Sequence, residues 1–305
     1  MAASRPTAGS PPSATMSLMA ETPPITSLQN PAVKRIVRLR KPRERRAEGV
    51  LLAEGPREVD RAFQAGLELR ELWHRVEGSA SPALAELHDR APSPDLPAIL
   101  NRAKVVATDA AVFAKIAYHQ KPEGLLGVFT APRWSLDELP SGGPGLVLVA
   151  VGTEKPGNLG AMVRTAAAAG CDAVLAVGPA VDVFNPNAIR NSTGAVFSLP
   201  TVVVPDTAAA VDWLRGRGLV IAAALAGGGV DCFAADWAGF DRGETGVAIV
   251  VGPEHAGLDD DWRAAADVAL TIPFADEPRR AGVDSLNASN AAAVLLFEAV
   301  RRRPR

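Results

Sequence analysis

The segment Ser285-Leu286-Asn287-Ala288-Ser289-Asn290 is a polar turn of small residues that opens directly into the apolar run Ala291 to Val300. Small polar residues before an apolar run are typical of a helix N-terminus, so the sequence predicts a final helix over 288–302. The turn holds more polar side chains than one helix cap requires. A loop of this kind can also offer backbone N–H and C=O groups to a polar ligand.

Two further polar turns follow buried-looking strands. The turn Gly252-Pro253-Glu254-His255-Ala256-Gly257-Leu258 comes after the strand 247–251, and Gly157-Asn158-Leu159-Gly160 comes after the strand 146–151. Ligands of open α/β sheets bind outside the carboxyl ends of the strands, so the three turns predict one site. Each turn alone also has a structural interpretation, in which Asn158 caps a helix or Glu254 braces a loop.

Arg164 lies in the apolar helix that follows the first of these turns. An arginine in such a helix predicts an acceptor, which can be a carboxylate, a backbone carbonyl or a phosphate. A structural salt bridge and a functional contact both remain open at this point.

The remaining periodicity predicts two α/β domains. The second half has nearly continuous apolar runs, typical of parallel strands buried on both faces. Its predicted strands are 146–151, 173–177, 220–225, 247–251 and 268–272, and its helices are 159–169, 207–215, 259–266 and 288–302. The first half has predicted strands 50–53, 69–76, 104–107 and 124–130, with a basic helix within 25–46 and helices 57–65, 82–90 and 109–116. The predicted domains are a disordered tail 1–24, an N-terminal domain 25–133, a linker 134–145 and a C-terminal domain 146–305.

Charge is clustered although the net charge of the 305 residues is only −2. The stretch 34–46 is strongly basic, which is either a solvated face or the footprint of a phosphate backbone. A polar patch at 190–193 is either a surface turn or a contact with sugar or phosphate. The candidate RNA-binding residues are Lys34, Arg35, Arg38, Arg43 and Arg190.

Other classes are disfavoured by what the sequence lacks. Cys171 and Cys232 are far apart in apolar contexts, which predicts buried free thiols in a reducing cytosol. No Cys/His spacing predicts a metal site, and the chain shows no signal peptide or membrane span, so we expect a cytoplasmic protein. The loop 152–160 matches neither the dinucleotide nor the P-loop motif, which argues against a nicotinamide oxidoreductase.

Together these motifs resemble the SpoU (TrmH) family of RNA 2′-O-ribose methyltransferases, in the SPOUT superfamily. The resemblance covers 146–303 and rests on four motifs in the family's order: Asn158-Leu159-Gly160 with Arg164, Gly252-Pro253-Glu254 to Gly257-Leu258, Ile272-Pro273, and Ser285-Leu286-Asn287. Residues 25–130 are similar to the family's ribosomal-protein-like α/β RNA-binding domain. The stretch 181–200 resembles members that methylate ribosomal RNA, including antibiotic-resistance enzymes of actinobacterial type.

The resemblance implies a mostly parallel sheet, with the C-terminal part of the chain tied into a deep trefoil knot. It implies S-adenosylmethionine as the cofactor, bent in that knot, and a homodimer whose active site is completed across the interface. The implied cofactor-binding residues are Val251, Gly252, Glu254, Gly257, Leu258, Ile272, Pro273, Leu286, Asn287 and Ala288. The implied catalytic residues are Asn158, Arg164, Glu254, Ser285 and Asn287.

In the family the arginine that matches Arg164 has been proposed as the base. Because a guanidinium does not normally lose its proton, we expect Arg164 to bind phosphate and stabilise charge on the attacking oxygen instead. The chain departs from the family in a longer loop at 274–284, which includes Arg279 and Arg280. The expected substrate is 23S ribosomal RNA, with transfer RNA or a non-catalytic RNA-binding role as alternatives.

Overall fold

The computed structural model describes residues 23–78, 80–90, 96–139, 145–178, 182–240, 243–275 and 285–303. They belong to two compact units, one of residues 1–63 with 68–130 and the other of residues 64–67 with 131–305. The predicted tail lies outside the described residues up to position 22, as do positions 140–144 of the predicted linker.

The first unit is a four-stranded sheet with helices. Its strands are β1 (Val50–Glu54), β2 (Leu69–Arg75), β3 (Lys104–Thr108) and β4 (Leu125–Thr130), in the order β1-β4-β2-β3. Its helices are α1 (Pro31–Arg38), α2 (Pro42–Glu48), α3 (Pro56–Gln64), α4 (Pro82–Arg90), α5 (Leu96–Arg102) and α6 (Ala110–Ile116). Only β2 and β3 run parallel, and β4 is antiparallel to both β1 and β2.

The predicted single basic helix is wrong, because this stretch forms the two helices α1 and α2. Proline disfavours the helical conformation in the residue before it, and Lys41 before Pro42 is extended, with φ −82° and ψ 131°. Pro42 then starts the second helix, where its missing N–H would have had no partner in any case. The short helix α5 was not predicted.

The second unit is a seven-stranded parallel sheet, and the predicted mostly parallel sheet is confirmed. Its strands are β5 (Leu146–Val151), β6 (Ala173–Val177), β7 (Thr201–Val204), β8 (Val220–Ala224), β9 (Val230–Asp231), β10 (Val247–Val251) and β11 (Val268–Thr271). The helices are α7 (Pro156–Ala168), α8 (Pro186–Asn191), α9 (Thr207–Gly216), α10 (Asp260–Ala265) and α11 (Ala288–Arg302). The elements β7, β9 and α8 were not predicted.

The strand order of this sheet, β7-β6-β5-β10-β8-β11-β9, positions the site. Strand β10 is buried along its whole length between β5 and β8, with parallel pairing to both. Because parallel strands end at the same edge of a sheet, the turns after β5, β8, β10 and β11 are neighbours. After β5 the chain adds β6 and β7 on one side of the sheet and then places β8 on the other side of β5. Open α/β sheets bind ligands at such a reversal of strand order.

Both cysteines are buried and free, as predicted. Burial raises the pKa of the Cys171 thiol to about 12 and that of Cys232 to about 11. Within the described ranges, none of the helices is both long and apolar enough to cross a bilayer.

Candidate active site

The helix after β5 presents Asn158 to the site and does not use it as a cap. Helix α7 begins at Pro156 with Lys155 at the N-cap position, so Asn158 lies in the first helical turn. The alternative interpretation of Asn158 as a helix cap is therefore wrong. Its side chain is directed across to the turn after β10, where Nδ2 donates a hydrogen bond of 2.8 Å to Oε1 of Glu254.

Glu254 joins all three polar turns. Oε1 accepts from Nδ2 of Asn158 and from Nδ2 of Asn287, while Oε2 accepts from Nζ of Lys155 at 3.1 Å. The Asn287 amide also lies 3.4 Å from Oδ1 of Asn158. Residues that are 33 to 129 positions apart in the chain thus meet at one carboxylate.

These donors keep Glu254 negatively charged. The pKa of its carboxyl is lowered from the ordinary value, first by the hydrogen bond from Lys155 and then by that from Asn158. The backbone N–H of Ala288 contributes in the same direction. A carboxylate that accepts several hydrogen bonds is stabilised in its charged form.

Asn287 has two functions at once. It is the N-cap of α11, where Oδ1 accepts from the backbone N of Ser289 at 3.0 Å and from the Ser289 hydroxyl at 2.6 Å. The amide oxygen is therefore occupied by the helix, and the amide nitrogen points to Glu254. Asn287 therefore serves both the helix N-terminus and the predicted site.

A cleft of about 320 Å³ opens beside this network. Eight of the ten predicted cofactor-binding residues line it: Val251, Gly252, Glu254, Gly257, Leu258, Ile272, Leu286 and Ala288. Of the other two, Pro273 lies between the lining residues Ile272 and Phe274, and Asn287 is linked to the cleft through Glu254. Ser285, from the predicted catalytic set, also lines the cleft.

The turn after β10 requires its first glycine. A Cβ atom at Gly252 would lie 2.7 Å from the carbonyl carbon of Gly257 and 2.8 Å from the backbone N of Leu258. The backbone at 257–258 therefore packs so close to position 252 that only glycine fits there. Gly257 closes the turn with φ +68°, in the left-handed region that favours glycine.

Sequence reasoning missed one wall of the cleft and two cations. The wall is the segment 224–227 after β8, which only the strand order places beside β10. A glycine run at 227–229 after a predicted strand was the available signal. The cations are Lys155, which is paired with Glu254, and Arg263, which lines the cleft from α10. We find no sequence signal for Arg263.

Arg164 is exposed on α7, six residues after Asn158 and about 9 Å further along the helix. Among the described residues its guanidinium has no hydrogen-bond or ion-pair partner, so of the three predicted kinds of acceptor neither a carboxylate nor a carbonyl is found there, and phosphate stays a prediction. Water solvates the exposed group, which removes the need for an internal acceptor.

The predicted RNA-binding residues of the first unit divide into two kinds. Lys34, Arg38 and Arg43 are exposed. Arg35 is instead held in the fold, because its guanidinium bonds Glu48 at 2.5 Å and Glu71 at 2.6 Å, and hydrogen bonding to Glu48 raises its pKa.

In the second unit, Arg190 is exposed on α8. The neighbouring Ser192 of the same predicted polar patch is fully buried, and its hydroxyl donates to the carbonyl of Ile189 at 2.8 Å. The patch at 190–193 is therefore only partly a surface feature. The predicted long loop lies outside the described residues from 276 to 284, including Arg279 and Arg280, while Phe274 lines the cleft.

Comparison with known proteins matches both parts of the chain to family models. Residues 145–297 match the SpoU rRNA Methylase family, and residues 30–127 match the MRM3-like substrate binding domain. The first match covers the sheet, the three polar turns and the cleft.

Two similar proteins are named for the methylation of 23S ribosomal RNA. The chain is 33% identical over 190 residues to the 23S rRNA (uridine(2479)-2′-O)-methyltransferase of Streptomyces viridochromogenes, a match that spans 61% of this chain and 62% of that protein. It is 30% identical over 274 residues to the 23S rRNA (guanosine(2553)-2′-O)-methyltransferase RlmP of Bacillus subtilis, across 90% of this chain and 97% of that protein. The crystal structure of the SpoU methyltransferase AviRb from Streptomyces viridochromogenes in complex with AdoMet is 29% identical, with a TM-score of 0.75 over 90% of this chain and 98% of that one.

Proposed function

The chain belongs to the SpoU rRNA methylase family, and on that premise we propose that it transfers a methyl group from S-adenosylmethionine to a ribose 2′-hydroxyl of ribosomal RNA. The observation that carries the proposal is the meeting of Asn158, Glu254 and Asn287 at the edge of the cleft. The two named relatives act on 23S ribosomal RNA, which makes it the favoured substrate here.

The cleft fits the cofactor by size and by chemistry. Its volume of about 320 Å³ lies within the range of small-molecule sites, about 300–1,000 Å³. Apolar side chains such as Leu258 and Ile272 offer walls for an adenine ring, and the turns supply backbone polar groups.

When bound, the cofactor supplies an electrophilic methyl group on a sulfonium, which leaves as a neutral thioether. The protein's contribution is to hold the ribose hydroxyl in line with that methyl group. Oε1 of Glu254 holds the side-chain amides of both Asn158 and Asn287, so their positions are set before substrate arrives. Ser285 and Asn287 shape the loop over the cofactor.

Arg164 supplies positive charge. Its guanidinium binds the phosphate next to the target ribose and stabilises the negative charge that develops on the attacking oxygen. The lack of a partner among the described residues supports this role, because the group is available for an external anion. A protonated guanidinium is suited to charge stabilisation and is a poor proton acceptor.

The proposal includes a homodimer. Helix α7, which carries Arg164, packs against α11, and α11 exposes Phe297 at 50% and Val300 at 38%. Because they are three positions apart, these two side chains share one face of the helix, and an exposed apolar patch is a candidate interface. In the proposed dimer, Arg164 of one protomer completes the cleft of its partner, and the knot of the family is part of the same proposed architecture.

In the first unit, the exposed cations Lys34, Arg38 and Arg43 are proposed to contact the RNA backbone. Arg35 is left out of this set because its two ion pairs hold the fold. Exposed Arg190 of the second unit is a further proposed contact. With ribosomal RNA as the substrate, the proposal places the protein in the cytoplasm, where free thiols stay reduced.

The experiment is incubation of the purified full chain with methyl-labelled S-adenosylmethionine and ribosomal RNA. We expect label in the large-subunit RNA, and mapping of alkali-resistant linkages should place it on one ribose 2′-oxygen. Label on a base, or no label in any RNA while the cofactor binds, would contradict the proposal. A matched reaction with transfer RNA tests the alternative substrate.

A further inference from the structure

Arg263 is a cation placed at the cleft without an ion pair. It lies on α10, lines the cleft, and donates from Nε to the carbonyl of Leu258 at 3.1 Å. Its two terminal amino groups have no hydrogen-bond or ion-pair partner among the residues that the structure describes. The bond from Nε fixes the guanidinium plane, which leaves the fork of the terminal groups for an external acceptor.

The carboxylates near Arg263 do not neutralise it. Asp259, Asp260 and Asp261 precede it in the chain, but Asp259 accepts from the backbone N of Trp262 and none of the three pairs with Arg263 within the described residues. Elsewhere in the same unit, Arg215 behaves in the opposite way and bonds both oxygens of Asp267 at 2.8 Å.

Glu254 does not neutralise Arg263 either. Glu254 and Arg263 carry the two formal charges among the described residues that line the cleft at neutral pH, with histidine taken as neutral. Both Glu254 oxygens are occupied, by Asn158 and Asn287 at one and by Lys155 at the other. Arg263 is exposed, so water solvates its positive charge, and no carboxylate among the described residues is paired with it.

We infer that Arg263 binds the amino-acid carboxylate of the cofactor through the two terminal nitrogens of its guanidinium. The inference rests on the proposed function, which supplies the ligand. That ligand has a single anionic group, its carboxylate, and a planar guanidinium matches a carboxylate with two parallel hydrogen bonds. Arg263 is thus a determinant of specificity for the amino-acid half, while the apolar walls take the adenine.

The test separates the two halves of the ligand. Calorimetric titration of the full chain with S-adenosylhomocysteine measures binding of adenosine together with the carboxylate. Titration with 5′-methylthioadenosine measures binding of the half without a carboxylate. We expect Arg263→Met to weaken the affinity for S-adenosylhomocysteine by about tenfold or more, because hydrogen bonds to a charged group are lost. The affinity for 5′-methylthioadenosine should change by less than about twofold. Arg263→Lys should fall between, because an ammonium replaces the fork by a point charge.

The control is Arg102→Met, which removes one exposed arginine from the first unit and should change neither affinity. Unchanged binding of 5′-methylthioadenosine shows that the variant's cleft is folded. An equal loss for both ligands, or no loss for either, overturns the inference. If Arg263→Met leaves the affinity for S-adenosylhomocysteine unchanged but weakens the binding of a ribosomal RNA fragment, Arg263 contacts RNA and the inference is wrong. Failure of the unmodified chain to bind S-adenosylhomocysteine would instead overturn the proposed function itself.

Discussion

At the scale of single residues, the proposed mechanism gives an organising role to groups that bond one another and a substrate-binding role to a group without a partner. Asn158 and Asn287 are hydrogen-bonded to Glu254, whereas Arg164 has no partner among the described residues. Arg164→Ala should therefore abolish methyl transfer while S-adenosylhomocysteine affinity stays within about twofold. Single-turnover assays and calorimetry on the same preparation measure both. Turnover that survives in Arg164→Ala would remove this side chain from the mechanism.

The charge on Glu254 gives a pH dependence at the same scale. The pKa of Glu254 is lowered in the folded chain, so the network is intact above the ordinary glutamate value, about 4.3, and is lost as the pH falls through the lowered value. Lys155 is the largest cause of the lowering, so Lys155→Met should move the loss of S-adenosylhomocysteine binding to higher pH. Binding measured between pH 3.5 and 7 checks this, and Lys155→Arg serves as the charge-preserving control. Identical profiles for the unmodified chain and Lys155→Met would contradict it.

At the scale of elements, the tight crossing of α7 and α8 depends on one glycine. A Cβ atom at Gly160 would overlap the carbonyl oxygen of Ala188 and lie 2.9 Å from the Asn191 Cβ. Gly160→Ala should therefore separate the two helices and lower the free energy of unfolding by about 1–3 kcal/mol. Chemical denaturation measures it. Gly216→Ala in α9 is the control, because a Cβ atom there meets nothing within 4 Å, and that change should be neutral or slightly stabilising.

Among the elements, the sequence predicted the strands that are buried, because burial requires apolar residues. Strands β5, β6 and β10 are buried along nearly their whole length and are therefore continuous apolar runs. Strand β9 consists of two exposed residues, and α8 is only six residues long, so neither shows a period in the sequence. Pro42 signalled the break between α1 and α2, because the residue before a proline disfavours the helical conformation. The site turns were predictable because local backbone geometry favours their residues: Gly252 allows the close turn and Asn287 caps a helix. The directions of the Arg35, Arg164 and Arg263 side chains depend instead on neighbours that are distant in the sequence.

At the scale of the whole molecule, the strand order explains why the active site is one cleft. Strand β10 inserts between β5 and β8, and this long-range placement is invisible to local periodicity. The exposed apolar side chains of α11, which packs against α7, are the proposed contact with a second copy of the chain. Phe297→Glu should convert a dimer to a monomer in sedimentation analysis and reduce methyl transfer with it. Val203→Glu is the matched control, since Val203 is similarly exposed, at 47%, on the edge strand β7. A dimer that survives Phe297→Glu would place the interface elsewhere.

A mixture of two inactive variants decides whether Arg164 acts across that dimer. Arg164→Ala lacks the guanidinium but keeps Glu254, and Glu254→Gln lacks the carboxylate but keeps Arg164. If each site combines Glu254 of one protomer with Arg164 of the other, every mixed dimer has one intact site and one doubly impaired site. Random re-pairing of equal amounts makes half of the dimers mixed, so about one quarter of the unmodified activity should return. Activity that stays at the level of the separate variants, after mass spectrometry has shown that mixed dimers formed, would mean that Arg164 serves the cleft of its own chain.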